Sequence, residues 1–243
     1  MLDFYYLTGY RRALETVELT GRFCAGTRQR VGWDNMPANF RDDWEDPRLD
    51  MTVEGYPDWY SIRRAGWALT GMTDLYEANP DPALGQEIRA MIRVLGRWQD
   101  ADGRWRSRFG SFMRSAEVFM HAAALNGLVR AYELIGDPAA KELCIRGCRF
   151  ISTKTVTRDG LMYYKESPVN NTGPASSNIL AFRPKVFAYE QTGDPAILQA
   201  MWRLFRWHLE REEIKGFMVH HALWALPTFH KAGLLDVWKN EEI

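Results

Sequence analysis

Apolar positions along the chain fall into two helical patterns that alternate. Residues 59–79, 113–135 and 174–192 are apolar nearly all round, whereas 82–99, 138–153 and 195–212 carry one apolar stripe opposite a side rich in Arg and Glu. A helix apolar on every side is buried on every side, and one with a single stripe is buried on one face. The alternation predicts an inner row of helices wrapped by an outer row.

A recurring corner separates the two kinds. It appears as Tyr5 to Gly9, Tyr76 to Pro80-Asp81-Pro82, Tyr132 to Gly136-Asp137-Pro138, Tyr189 to Gly193-Asp194-Pro195 and Phe229 to Gly233. In each copy an aromatic residue is followed four positions later by Gly or Pro. Glycine takes the left-handed conformation that ends a helix, Asp caps the next helix, and Pro fits its first turn. The breakers at 9, 80, 136, 193 and 233 lie 71, 56, 57 and 40 residues apart. A unit of that size holds two helices and two connections, the period of an array of αα-hairpins.

The far end of each hairpin is patterned as well. Gln99 to Trp105 contains Asp102-Gly103, and Arg158 to Tyr164 contains Asp159-Gly160, each followed by aromatic residues. The first unit instead carries a long insertion, about 30–57, rich in Asp, Trp, Pro and Asn, and a loop of that length on one rim is a functional candidate. A closed ring of six hairpins needs on the order of 340 residues at this period. The chain therefore reads as all-α, an incomplete (α/α) toroid of four to five hairpins. It is expected to be a single domain over 1–243 and the carboxy-terminal part of a longer protein.

Composition narrows the function. Lys plus Arg and Asp plus Glu both number 31, so the net charge is +0, and the basic surplus of a nucleic-acid binder is missing. No run approaches the ~18 apolar residues of a membrane helix. Asp3 stands where a secretory leader would carry Lys or Arg, so the default expectation is the cytoplasm. The three cysteines, Cys24, Cys144 and Cys148, are too few for a disulfide framework. Cys144 and Cys148 share a helical face, but zinc needs four ligands and no further pair supplies them, so no metal is expected. Phosphate loops, dinucleotide fingerprints, zinc-protease and serine-hydrolase motifs are missing too, so no cofactor is expected. The 10 Trp, 10 Tyr and 12 Phe exceed what a core of this size uses, and flat side chains in a cleft suit sugars or other rings.

The Tyr-x-x-x-Gly-Asp-Pro corners, together with Arg63-Arg64-Ala65-Gly66-Trp67-Ala68-Leu69 leading into Leu75-Tyr76-Glu77, carry a family resemblance. They resemble the (α/α) toroid domains of carbohydrate-active enzymes, both glycoside hydrolases and polysaccharide lyases. Within that group the chain looks most like the carboxy-terminal toroid of exo-acting rhamnogalacturonan lyase-like proteins, although the β-rich domains that precede it there have no counterpart here. The resemblance implies an oligo- or polysaccharide ligand and a cleft at the mouth lined by the loops that lead into the inner helices. Gln99 to Trp105 is also similar to the Q-W motif of terpene cyclases, but it occurs in full once and no Asp-rich motif accompanies it.

Four clusters fall at that mouth. The first holds Asp58, Trp59, Tyr60, Arg63, Arg64 and Trp67. Asp58 reads equally as a helix cap, while two adjacent Arg on an apolar helix suit a carboxylate partner. The second is Arg114, Glu117 and His121, on one helical face, with a structural ion pair as the plain alternative. The third is Tyr163, Tyr164, Asn170 and Asn171, followed by Ser176-Ser177-Asn178. The fourth is His220-His221 with Trp224, where at most one imidazole faces the cleft because neighbours on a helix point about 100° apart. His208 and His230 read as structural.

Two mechanisms fit. In a lyase, Arg63 or Arg64, with Asn170 or Asn171, neutralises a uronate carboxylate, and Tyr60, Tyr164 or His221 removes the carbon-bound proton. In a hydrolase, Asp58 and Glu117 are the pair, with Asp34, Asp42 and Asp43 as alternates. The mouth is richer in Arg, Tyr, Asn and His than in carboxylates, which favours the lyase. A non-catalytic scaffold or accessory domain is the alternative outside enzymes.

Overall fold

The computed structural model describes residues 2–30, 33, 62–105, 116, 118–157, 161–163, 176–210 and 216–236. They form α1 (Leu2–Thr8), α2 (Arg11–Ala25), α3 (Thr27–Arg30), α4 (Ile62–Ala78), α5 (Pro82–Trp98), α6 (Val118–Ile135) and α7 (Pro138–Thr153). A 3-10 stretch (Ser176–Ala181) then leads into α8 (Phe182–Thr192), followed by α9 (Pro195–Glu210) and α10 (Gly216–Lys231). Among the described residues the only β pairing is one antiparallel bridge, Val156 with Met162. The fold is all-α, an (α/α) toroid of helical hairpins.

The corners follow their chemistry. Gly9, Gly136 and Gly193 adopt φ of 67°, 63° and 66°, and their N–H groups donate to the carbonyls of Tyr5, Tyr132 and Tyr189 at 2.7, 2.9 and 2.7 Å. Asp81, Asp137 and Asp194 then accept from the N–H two residues on, at 2.8, 2.9 and 3.0 Å. The fifth corner differs: Gly233 donates to His230 rather than to Phe229, a tighter turn. The aromatic position also has a packing role, since the Tyr132 ring on α6 meets Phe187 on α8 at 5.4 Å and ties one hairpin to the next.

Helices α4, α6, α8 and α10 form the inner row and α5, α7 and α9 the outer row, each outer helix packed on its own inner one. α6 buries residues on every side, while α5 buries one stripe, including Leu84, Ile88, Met91 and Leu95. α4 and α6 run parallel and touch backbone to backbone: a Cβ on Gly127 would lie 2.8 Å from the Gly66 carbonyl oxygen. α2 runs antiparallel to α4, with Gly21 against Leu75 and Cys24 against Gly71. The inner helix expected over 174–192 opens as a 3-10 stretch before α8, where Pro184 occupies a first-turn position that needs no N–H.

Gln99 and Trp105 turn out to be structural. The Gln99 amide donates to Gly103 and Leu143 carbonyls at 3.2 and 3.0 Å, and the Trp105 indole donates to Leu95 at 2.9 Å. Cys144 and Cys148 are buried, with their sulfurs 4.0 Å apart. Trp33 is buried edge-on to Trp98, and the Arg28–Glu87 pair ties α3 to α5. The rest of the insertion over 30–57 lies outside the described residues.

Candidate functional site

A cleft of about 380 Å³ opens along the inner row. α4 contributes Trp67, Thr70 and Asp74, and α6 contributes Phe119, Ala123, Asn126 and Arg130. Leu180, Arg183 on α8, His221 on α10 and Asp3 on α1 complete the wall. The spacing on each helix is that of a single stripe, 67-70-74 and 119-123-126-130, so one face of each inner helix turns toward the cleft.

One end of the cleft is cationic and aromatic. Arg63 stands one turn before Trp67, its guanidinium 4.9 Å from the Trp67 ring and 5.8 Å from that of Phe119. Its buried Nε finds no hydrogen-bond acceptor among the described residues. Trp67 meets Phe119 edge-on and remains 53% exposed, which leaves a ring face open to a ligand. Across the cleft, Arg183 lies over Trp224 at 4.7 Å and donates to Glu133 at 2.6 Å. Trp224 is 48% exposed.

The other end is acidic. Arg130 pairs closely with Glu77 and stands 3.8 Å from Asp74. Burial raises the Asp74 carboxyl above the ordinary carboxylate range, and Arg130 partly opposes that rise. Between the two ends, Asn126 donates to the carbonyls of Ala122 and Leu180, both at 2.8 Å, and holds α6 against the 3-10 stretch. His221 is half-buried. Desolvation, with smaller contributions from His220 and Arg183, lowers its imidazole to about 4, so it is neutral at pH 7. Its Nδ1 is buried without a hydrogen-bond partner among the described residues.

The sequence-predicted residues divide into three groups. Trp67 and His221 line the cleft, and Arg63 and Trp224 flank it through the ring contacts above. His220 is exposed beside His221, ring centroids 3.7 Å apart. Arg64, His121 and Tyr163 are placed elsewhere. Arg64 is exposed, because one residue along a helix turns the side chain about 100°. His121 is fully buried, accepts the Trp105 N–H at 2.9 Å and stacks on Phe150, so it braces the hairpin end. Tyr163 pairs its backbone with Thr155, and its carbonyl accepts from the buried Asn178 amide at 3.0 Å. Asp34, Asp42, Asp43, Asp58, Trp59, Tyr60, Arg114, Glu117, Tyr164, Asn170 and Asn171 lie outside the described residues.

Asp74, Asn126, Arg130 and Arg183 were not singled out from sequence. The available signal was a polar stripe on otherwise apolar helices: Arg63, Trp67, Thr70, Asp74 and Glu77 recur at spacings of four, three, four and three. Such a stripe on a helix buried all round has to face another polar surface or a cavity.

Among the described residues, no cluster of three His, Cys, Asp or Glu side chains could hold a metal ion, and no helix is long and apolar enough to cross a membrane. No family model and no curated protein matches the chain. Among solved structures the fold is similar to that of cellobiose 2-epimerase from Bacillus thermoamylovorans B4167, with a TM-score of 0.51 and 19% identity. The match covers 60% of this chain and 40% of the epimerase, so the chain spans less than half of that enzyme's length.

Proposed function

We propose that the cleft binds an acidic saccharide and removes a carbon-bound proton from it, the first step of β-elimination by a polysaccharide lyase. The observation that carries this reading is Arg63: a guanidinium set against the rings of Trp67 and Phe119 at the cleft, with its buried Nε unmatched by any acceptor among the described residues. A uronate carboxylate supplies the missing acceptor in bidentate form. The open face of Trp67 stacks the pyranose ring.

Once Arg63 neutralises the carboxylate, the adjacent C–H becomes acidic enough for the neutral His221 imidazole to take the proton. The electron pair forms the C=C bond, the C–O bond breaks, and the proton taken up by His221 passes to the leaving oxygen. The likeness in sequence pattern to rhamnogalacturonan lyase-like toroids supports the same substrate class.

The test is incubation with uronate-containing polysaccharides while following the ultraviolet absorbance of unsaturated uronates. A rise that disappears in His221→Asn supports elimination. New reducing ends without that absorbance refute it in favour of hydrolysis, with Asp58 and Glu117 as the first carboxylates to substitute.

A second reading has one observation behind it, the fold shared with a cellobiose 2-epimerase. Inverting a saccharide carbon next to a carbonyl also begins with loss of a carbon-bound proton, and His221 would serve there as well. Cellobiose incubated with the protein and followed by NMR for the 2-epimer distinguishes the two. Binding without turnover of either substrate assigns the cleft to an accessory role.

A further inference from the structure

Three arginines line or flank the cleft, and their hydrogen bonding divides them. Arg130 is matched by carboxylates, paired closely with Glu77 and 3.8 Å from Asp74. Arg183 on α8 is matched only in part. One of its amino groups donates to Glu133 at 2.6 Å and its guanidinium lies 4.7 Å from the Trp224 ring. Its buried Nε meets no acceptor among the described residues, and Arg63 leaves the same atom unmatched. A buried donor without an acceptor is costly, and more so on a charged group. Glu133 does not remove that cost. Its side chain is 42% exposed, so water screens its charge, and it fixes the guanidinium without reaching Nε.

Helix α6 measures the distance between the two arginines. The Arg63 guanidinium stands 5.8 Å from the Phe119 ring near the start of α6, and Arg183 bonds to Glu133 near its end. Phe119 and Glu133 are 14 positions apart. At ~1.5 Å per residue that is a rise of ~21 Å. Side chains on one helix lean the same way, so the offset carries over to their tips. Taking off the two contacts leaves the guanidinium groups on the order of 10 Å apart along the helix. One sugar ring does not reach both. The cleft-lining stripe of Phe119, Ala123, Asn126 and Arg130 runs along α6 between the two levels.

We infer that Arg183 is a second carboxylate-binding residue, and that the cleft takes an oligosaccharide lying lengthwise along α6 with one uronate on Arg63 and a different uronate residue of the same chain on Arg183. The inference rests on the reading of the cleft as a site for acidic saccharides, and not on the proton transfer. The planar fork of a guanidinium keeps Nε–H beside an amino group, which is the geometry a carboxylate accepts from. A saccharide with a single carboxylate satisfies one of the two arginines, and a neutral one satisfies neither. The ligand class is therefore a chain that carries carboxylates on more than one residue.

The experiment is isothermal titration of the full chain with oligogalacturonates, oligoglucuronates and oligomannuronates of increasing length, with cellobiose as the neutral control. In the series that binds, affinity should rise in one step of roughly 10- to 150-fold at the length where a second carboxylate reaches Arg183, and stay level beyond it. Arg183→Gln should remove the step and leave the shorter oligomers bound as before. A second measurement uses the wild-type protein alone: oligomers methyl-esterified on every residue but one should show no step at any length. Failure of all three acidic series to bind overturns the reading of the cleft, and this inference with it. Binding that climbs evenly with length, a step that survives Arg183→Gln, or the same step in the methyl esters overturns the second anchor alone and leaves the reading of the cleft standing.

Discussion

Arg63→Ala separates a binding residue from a structural one. Among the described residues Arg63 has no ion pair to lose, and its ring contacts are with Trp67 and Phe119. Cation–π contacts at partly exposed sites are worth about 0.5–1 kcal/mol each. Removing the buried, unmatched Nε returns part of that cost. The net loss of stability should therefore stay near ~1 kcal/mol, a Tm shift of roughly 2–4 °C for a chain of this length. Binding behaves differently. A charge-assisted hydrogen bond to a ligand carboxylate contributes about 1.5–3 kcal/mol, so affinity for an acidic oligosaccharide should fall roughly 10- to 150-fold. The neutral oligosaccharide of the same backbone should lose less than about threefold, reflecting only a shifted Trp67 ring. Isothermal titration of both ligands against the wild type and the variant, with a thermal melt of each, measures all of these quantities. Equal losses for the acidic and neutral ligands would refute the assignment of Arg63 to a carboxylate. A fall in stability well beyond 2 kcal/mol would make Arg63 a structural residue.

Three further predictions concern the scaffold. Lys185 is fully buried, its ammonium nitrogen 2.6 Å from the Met162 sulfur, and desolvation lowers it to about 7. Between about 7 and its ordinary value of 10.5 the unfolded chain holds the extra proton, so stability rises with pH across that window. Lys185→Met should stabilise the fold by about 1–4 kcal/mol at pH 7, with a gain that shrinks toward pH 10 in urea titrations, and a gain independent of pH would contradict the burial argument. Gly127→Val should cost about 1–3 kcal/mol by wedging α4 from α6. Gly96→Ala, whose Cβ would meet only Leu143 at an ordinary 3.5 Å, should gain up to about 1 kcal/mol in the same thermal melts.

Much of the architecture is local chemistry, and local chemistry is written along the chain. Gly136 and Gly193 end helices because only glycine takes positive φ freely, and Asp137 and Asp194 begin the next ones because a carboxylate two residues from an open N–H can accept from it. The contrast between α6, buried all round, and α5, buried on one face, is a periodicity readable without coordinates. The inner and outer rows therefore follow from sequence.

The site follows from it only in part. Arg63 and His221 were legible as polar side chains on apolar helices, but their neighbours Arg64 and His121 looked equally suited. One residue of helical phase puts Arg64 in solvent, and a packing partner 16 positions away claims the imidazole of His121. Asp74, Arg130 and Arg183 come from three helices, and no spacing along the chain relates one helix to another. The chain alone thus determined where it turns and which helical faces avoid water, since those depend on residues within one or two turns of each other. Tertiary packing decided which polar groups share a cavity, because the distances that matter there run between helices rather than along them.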